Sequence, residues 1–218
     1  MTKAVGRGKY DRGLSSEKRQ ELAREKLLDD ATEVFATRGF RATRVDDIVE
    51  RAGISRRTLY QHFDSVEAIL GEVYERAVRT SFAAVFERLM GVSDPIERIH
   101  VGVAAYFETI AANPAGARVV FEEYRHAGPA QAAKYELNTS RYAMLMLEFL
   151  NAARAAGRIH RAPDETSVYA LTKGLEAVGV RALHRGEHAQ LPAVAPIMSA
   201  LLIEAFRGTD PACDLSST

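Results

Sequence analysis

Two adjacent arginines, Arg56 and Arg57, have the residue type and position best suited to recognising nucleic acid. They stand near the beginning of a short helical pattern, from which side chains can project into a groove. A guanidinium group can donate two parallel hydrogen bonds to O6 and N7 of guanine, which discriminates that base pair by about 1–3 kcal/mol. The alternative is that both are solvated surface arginines, so the neighbouring residues must decide.

A second chemically capable group, His184, Glu187 and His188, matches the H-x-x-E-H pattern of one class of zinc proteases. That chemistry needs a continuous helix that places both imidazoles on one face. Gly186 interrupts the pattern, which therefore favours a helix C-terminus, where histidine and arginine interact well with the helix dipole. A zinc hydrolase using the His184–His188 cluster is the alternative from another functional class. We expect neither a metal nor a cofactor.

The residues around the paired arginines predict two short helices joined by a glycine turn. Gly53 suits the left-handed position that ends a helix, and Ser55 is a good N-cap for the next one. Leu59 and Phe63 would be the buried positions of that second helix. The first helix has its apolar residues at i, i+3, i+4 and i+7, namely Val45, Ile48, Val49 and Ala52. This arrangement is a helix-turn-helix, whose second helix can enter the major groove of DNA.

These residues resemble the DNA-binding domain of the TetR family of transcriptional regulators. The order Thr-x-Val-x-Asp-Ile-x-x-x-Ala-Gly-Ile-Ser-x-x-Thr-Leu-Tyr-x-His-Phe-x-Ser-x-Glu agrees without a gap, and the similarity runs from about Leu27 to Leu70. The rest of the chain agrees only in length and in being helical. Two departures bear on function: Arg57 replaces a small residue and adds a DNA contact, whereas Val66 replaces a lysine and removes one.

The resemblance implies a regulator of transcription and not an enzyme. Such a protein would bind a palindromic double-stranded operator as a homodimer and, as a repressor, be released by a small molecule. Tyr60 could instead be half-buried core. The residues expected to contact bases or phosphates are Thr43, Arg44, Ser55, Arg56, Arg57, Thr58, Tyr60 and His62.

Composition is compatible with this interpretation once the chain is divided. The formal net charge of the 218 residues is zero, but residues 1–65 carry 14 Lys and Arg against 11 Asp and Glu, and residues 66–218 carry 15 against 18. A basic N-terminal part on a mildly acidic remainder suits a DNA-binding protein. The single Cys213 excludes an intrachain disulfide framework, and no apolar leader or spanning segment is evident, so we expect a cytoplasmic protein that does not bind membranes.

Helical periodicity and the positions of Gly and Pro predict an all-α fold. We expect a disordered basic tail over residues 1–15, a helix-turn-helix domain over 16–64, a helical effector-binding and dimerisation domain over 65–208, and a disordered tail over 209–218. Whether the basic tail touches DNA is left open. The predicted helices include 16–38, 65–91, 95–112, 114–126, 129–156, 165–184 and about 196–207.

The last two predicted helices are apolar over most of their circumference. A helix of this kind must be buried on two sides, either in the chain's own core or against another subunit. The resemblance implies that these helices pair with their copies in a four-helix bundle. The residues expected at the dimer interface are Leu171, Leu175, Val178, Ile197, Leu201 and Leu202.

The middle helices are rich in aromatic residues and methionine, which often line apolar pockets between helices. We expect a small hydrophobic or amphipathic effector, with Arg125, His126 and Glu176 as candidate polar anchors. The alternative is a DNA-binding protein without an effector. The residues expected to line the pocket are Tyr106, Phe107, Phe121, Tyr124, Tyr142, Met146 and Phe149.

Overall fold

The computed structural model describes residues 15–208, and within this range the regular structure is entirely helical. The predicted disordered tails, residues 1–15 and 209–218, lie outside the described residues except for Ser15, which caps α1. The helices are α1 (Ser16–Arg38), α2 (Val45–Ala52), α3 (Arg56–Tyr60), α4 (Val66–Leu89), α5 (Pro95–Ala112), α6 (Pro114–Arg118), α7 (Pro129–Ala155), α8 (Glu165–Arg185) and α9 (Leu191–Arg207). The all-α prediction is confirmed.

Side-chain caps fix the beginnings of several of these helices, α5 and α8 among them, as local sequence signals predict. Asp94 accepts a hydrogen bond from the backbone N–H of Glu97 at 2.9 Å and thereby starts α5. Asp164 does the same for α8 with the N–H of Ser167, also at 2.9 Å. Each cap satisfies a backbone donor that has no partner inside the helix. The capping acids also hold a negative charge at the positive end of the helix dipole.

The predicted helix over residues 114–126 is wrong in its detail. The regular helix α6 covers only five residues, and Val119–Tyr124 continues it as a π-helical turn. Such turns add one residue to a turn of the helix and are frequent at functional sites. This one lies between the N-terminal helices and the rest of the chain, and its side chains contact both.

The last helix begins five residues earlier than predicted, at Leu191 instead of Pro196. Pro192 occupies the first turn, where a missing N–H removes no helical bond. Pro196 then lies inside the helix and removes one backbone hydrogen bond without ending it. The sequence prediction failed because it assumed that Pro196 marked the helix start.

The N-terminal helices α1 to α3 pack around a core that includes the fully buried Leu28, Phe35, Ile48 and Leu59. We call α1 to α3 the head and the remaining helices the body. The core of the head is not closed by its own helices. Four further residues of α4, Ile69, Leu70, Val73 and Tyr74, belong to the same cluster, together with Val119, Tyr124 and Tyr135 of the body.

The segment His188–Arg207 is, within the described chain, one helical stretch long and apolar enough to cross a membrane by length and composition. Its most apolar window has a mean hydropathy of 1.5, and 33% of that window is buried. A core helix of a globular protein meets the same criterion. Much of this apolar helix is therefore not covered by the rest of its own chain.

Candidate nucleic-acid interface and internal cavity

The turn between α2 and α3 presents the paired arginines to solvent. Gly53 adopts a left-handed conformation with φ of 67°, and the N–H of Ile54 closes the corner by bonding to the carbonyl of Val49 at 3.1 Å. Ile48 and Leu59 are fully buried between the two helices. The opposite side of α3 is therefore exposed and can face a groove of a DNA duplex.

Arg56 and Arg57 are both exposed on α3, but their surroundings differ. The Nε atom of Arg56 donates to Oδ1 of Asp46 at 2.6 Å, and a second bond joins Nη2 to Oδ2. The hydrogen bond from Arg56 lowers the pKa of Asp46 below its usual range. Arg57 has no ion pair among the described residues. Sequence reasoning missed Asp46 as a partner because the pair depends on how α2 crosses α3.

The other residues expected to contact DNA lie around the N-terminal ends of α2 and α3. The Thr43 hydroxyl donates to the carbonyl of Gly39 at 2.7 Å, and Arg44 is exposed immediately before α2. The hydroxyls of Ser55 and Thr58 are 2.9 Å apart, and Ser55 caps α3. These groups share one surface of the head.

Tyr60 and His62 complete that surface. The Tyr60 side chain is 52% exposed, which does not match the alternative that placed it in the core. His62 is half-buried in the turn after α3. A phenol held on the surface beside exposed arginines is suited to donate to a phosphate oxygen.

A direct connection between head and body lies beside this surface. Glu123 of the π-helical turn accepts a hydrogen bond from the backbone N–H of Phe40 at 2.6 Å. Arg41 donates to the carbonyl of His126 at 3.1 Å. Gly39, with φ of 79°, ends α1 next to the Glu123 carboxylate. Because hydrogen bonds to charged groups are among the stronger ones, the turn holds the end of α1 in place.

An internal cavity of about 140 Å³ lies in the body between α4, α5, the α6 region, α7 and α8. Five of the seven residues that the sequence predicts for a pocket line it, namely Tyr106, Phe121, Tyr142, Met146 and Phe149. Residues of α4 also line it, which the sequence prediction did not include. The volume is below the roughly 300–1,000 Å³ of ligand pockets, so a drug-sized molecule would have to move the walls.

Phe107 and Tyr124, the other two predicted pocket residues, do not contribute to this cavity wall. Phe107 is fully buried in the core of the body. The Tyr124 ring stacks on the Tyr74 ring, with the centroids 3.6 Å apart. Both residues have the right type for a pocket, but their helical positions face other elements. Of the candidate polar anchors, Glu176 lines the cavity, whereas Arg125 and His126 do not.

A wider surface groove of about 1,090 Å³ runs between α4, α7 and the start of α8. Phe86 of α4 is 52% exposed and lines this groove. The ring of Phe82 stacks on Tyr142 at 4.1 Å between centroids, and Leu145 borders both spaces. A thin aromatic partition therefore separates the groove from the internal cavity.

The predicted dimer residues divide into two groups. Ile197 and Leu201 are 62% and 58% exposed, one helical turn apart on α9, and Leu171 and Val178 are half-buried on α8. Leu175 and Leu202 are 5% and 2% exposed and lie in the protomer's own core, so their placement at an interface with another subunit is corrected. Because these two helices are apolar on most faces, the sequence alone does not show which face points away from the protomer.

The zinc-protease pattern is not assembled. Gly186 ends α8 in a left-handed conformation, which separates His184 from His188. The Nε2 atom of His184 lies 2.9 Å from a carboxylate oxygen of Glu122 instead. Within residues 15–208, no group of three His, Cys, Asp or Glu side chains is placed to hold a metal ion.

Comparison with known proteins agrees with this geometry. Residues 27–73 match the family described as bacterial regulatory proteins, tetR family, and residues 92–179 match a tetracyclin repressor-like C-terminal domain. The repressor KstR2 of Mycobacterium tuberculosis is 30% identical over 159 residues, which cover 72% of this chain and 80% of KstR2. The chain belongs to the TetR family.

Other TetR-family members match different portions of the chain. The transcriptional activator FasR of Mycolicibacterium smegmatis is 35% identical over 116 residues, which cover 53% of each protein. This match spans about half of the length of FasR. The structure of FadR from Bacillus subtilis in complex with stearoyl-CoA shares the fold with a TM-score of 0.71 at 20% identity, covering 82% of this chain and 97% of FadR. These relatives are named as regulators and not as enzymes.

Proposed function

We propose that this TetR-family protein is a sequence-specific DNA-binding repressor that a small molecule releases from its operator. The observation that carries the proposal is the exposed surface of α3, where Arg57 faces solvent above the buried Leu59. A rigid helix-turn-helix that presents a free guanidinium group can read a guanine in the major groove. The match to the repressor KstR2, which covers 72% of this chain, favours repression, although FasR is named an activator.

Base recognition would come from Arg57 and Arg56, and Thr58 would contact a base methyl group or the backbone. The remaining surface residues would hold phosphate oxygens and fix the register of the head on the duplex. These are Thr43, Arg44, Ser55, Tyr60 and His62. As a DNA-binding regulator, the protein would act in the cytoplasm.

The operator would be palindromic because the protein would act as a homodimer. Ile197 and Leu201 form an uncovered apolar stripe on α9, and Leu171 and Val178 of α8 would extend it. Burial of such a stripe against its copy in a second subunit would remove it from water. Two heads on one dimer would then contact adjacent major grooves.

The effector would be hydrophobic or amphipathic and would occupy the internal cavity of the body. FadR, a structural neighbour, is described in complex with stearoyl-CoA, which has an apolar chain and a polar head. The walls here are mostly apolar and aromatic, and opening the Phe82–Tyr142 stack would join the cavity to the groove outside. Ligand binding releases DNA only if the ligand prefers the state that does not fit the operator.

One observation favours a second candidate, a DNA-binding protein without an effector. The cavity of about 140 Å³ holds less than a drug-sized ligand. In that case residues 65–208 would serve dimerisation alone. A small molecule that binds the cavity but leaves the affinity of the protein for its operator unchanged would support this candidate.

Selection of genomic DNA fragments by the purified full chain tests the main proposal. We expect recovery of a short palindromic sequence, bound at least about a thousandfold more tightly than random DNA at physiological salt. Recovery of fragments without a common sequence would reject specific regulation. The same experiment repeated with Arg57→Ala protein tells recognition by α3 apart from binding through charge alone.

A further inference from the structure

The internal cavity contains a buried polar atom that the protein leaves without a partner. Tyr135 of α7 is 3% exposed and lines the cavity. Its hydroxyl oxygen makes no hydrogen bond to any described residue. A buried polar group in this condition costs about 1–3 kcal/mol. Such groups are rare in native proteins and call for an explanation.

Two other polar groups of the wall are already paired. The Tyr142 hydroxyl donates to Ser81 at 2.9 Å. The Asn138 amide donates to the hydroxyl of Tyr74 at 2.7 Å. A ligand atom that approaches these groups would have to displace an existing bond. Tyr135 therefore offers a ligand a hydroxyl donor that makes no well-aligned hydrogen bond within the protein, although the Glu176 carboxylate is near enough to compete for it.

A buried carboxylate lies next to this anchor, and Lys173 and Arg125, which also lie over the Tyr135 ring, pair with it from outside the cavity. Glu176 is the one charged residue among the described residues that line the cavity, and it is 8% exposed. Its partners lie outside the wall: Lys173 donates to it at 2.9 Å, and Arg125 is 3.7 Å away. Burial raises the pKa of the Tyr135 hydroxyl, and the Glu176 carboxylate raises it further.

Glu176 also affects the pKa of Tyr106, another residue of the wall. Burial raises its pKa well above the ordinary value, and Glu176 is again the next cause. Both phenols therefore stay protonated and can act as hydrogen-bond donors. A buried anion brought into this cavity would lose its hydration, and no cationic side chain of the wall would replace it, which costs several kcal/mol.

We propose, resting on the proposed effector function, that the cavity selects an uncharged apolar molecule with a carbonyl oxygen that accepts a hydrogen bond from the Tyr135 hydroxyl. Esters, thioesters and ketones with alkyl chains belong to this class. The same wall rejects the free carboxylate of a fatty acid, because no cationic side chain lines it to replace the hydration of that carboxylate. The apolar remainder of the ligand packs against residues such as Val85, Val103 and Phe149.

A set of ligands that each contain one eight-carbon chain tests this selection by calorimetry on the full chain, at neutral pH and without DNA. The ligands are methyl octanoate, S-methyl octanethioate, octanoate and 1-chlorooctane, which differ in the polar group at one end. We expect the ester or the thioester to bind about fivefold more tightly than the chloroalkane, as one neutral hydrogen bond allows. Octanoate should bind at least about tenfold more weakly than the ester. The tighter of the two carbonyl ligands identifies the preferred source.

Two phenylalanine variants isolate the hydroxyl. Tyr135→Phe should lower ester affinity to that of the chloroalkane and leave the chloroalkane unchanged, because only the anchor is lost. Tyr169→Phe is the control, since its hydroxyl is bonded to Glu136 and lies outside the cavity wall, and it should retain the preference for the ester. Unchanged helical circular dichroism shows that both variants are folded.

Three results would overturn the inference: octanoate binding as tightly as the ester, Tyr135→Phe keeping the ester preference, or none of the four ligands binding. Operator binding by ligand-free protein is measured separately. Because the calorimetry contains no DNA, the ligand class and the regulatory function can fail independently.

Discussion

The guanidinium group of Arg56 forms a two-point ion pair with the carboxylate of Asp46 across the turn between α2 and α3. Both side chains are largely exposed, so the pair contributes little to folding. Its importance is that it holds one of the two candidate base-reading arginines against α2. Asp46 also brings a negative charge to a surface that would approach phosphates.

Asp46→Asn should therefore strengthen DNA binding severalfold, because it removes a charge that repels phosphate and releases Arg56. The gain should be similar for operator and random DNA, since the change is electrostatic. Fluorescence anisotropy at two salt concentrations measures it. Glu108→Gln, in an exposed ion pair of the body, is the control and should leave DNA affinity unchanged. Weaker binding by Asp46→Asn would mean that the pair positions Arg56 for recognition.

Arg57→Ala should relax sequence specificity at one or two base pairs, with a loss of about 1–3 kcal/mol on the operator. Tyr60→Phe removes a phosphate contact and should weaken operator and random DNA alike. Competition binding with operators mutated one base pair at a time distinguishes the two effects. Equal losses on operator and random DNA for Arg57→Ala would contradict its role in reading bases.

Leu201→Glu should convert the protein from dimer to monomer or aggregate, because it places an unpaired carboxylate in the apolar stripe of α9. Sedimentation velocity measures the change, and operator affinity should fall although the head is unaltered. Leu22→Glu replaces another exposed leucine, on α1, and should leave the dimer intact. A Leu201→Glu protein that stays dimeric would place the interface elsewhere.

Stability should fall in alkaline solution between about pH 10 and pH 12. Burial raises the pKa of Tyr74 and of Tyr142 to about 12, from the ordinary value of 10.0. The raised pKa of these two hydroxyls contributes fully to the stability of the folded protein below pH 10. This contribution is lost as the pH rises through 12. Urea unfolding at several pH values, followed by circular dichroism, measures the loss. In Tyr142→Phe the slope should be shallower, and an unchanged slope would contradict the assignment.

Sequence patterns predicted the elements whose causes are local. Asp94 and Asp164 predict the starts of α5 and α8 because a capping side chain accepts a hydrogen bond from the backbone N–H only three residues away. Gly53 predicts the turn because glycine readily adopts the left-handed conformation in which α2 ends. The position of α3 and the exposed Arg57 follow from these signals.

Features that depend on how helices face one another could not be read in the same way. The Arg56–Asp46 pair needs the crossing of α2 and α3, and the inward direction of Leu175 and Leu202 needs the packing of α8 and α9. Phe107 has the composition expected of a pocket residue, yet it lies in the core. Periodicity gives the faces of a helix but not which neighbour each face meets.

The shared core of head and body limits how this architecture can be recombined. Val119, Tyr124 and Tyr135 of the body close the core around α1 and α4, and Glu123 holds the end of α1. A chimera that joined this head to another protein's body at residue 65 would leave those apolar surfaces unmatched. Transplanting DNA specificity would require the π-helical turn to travel with the head, although more than fifty residues separate them in the chain.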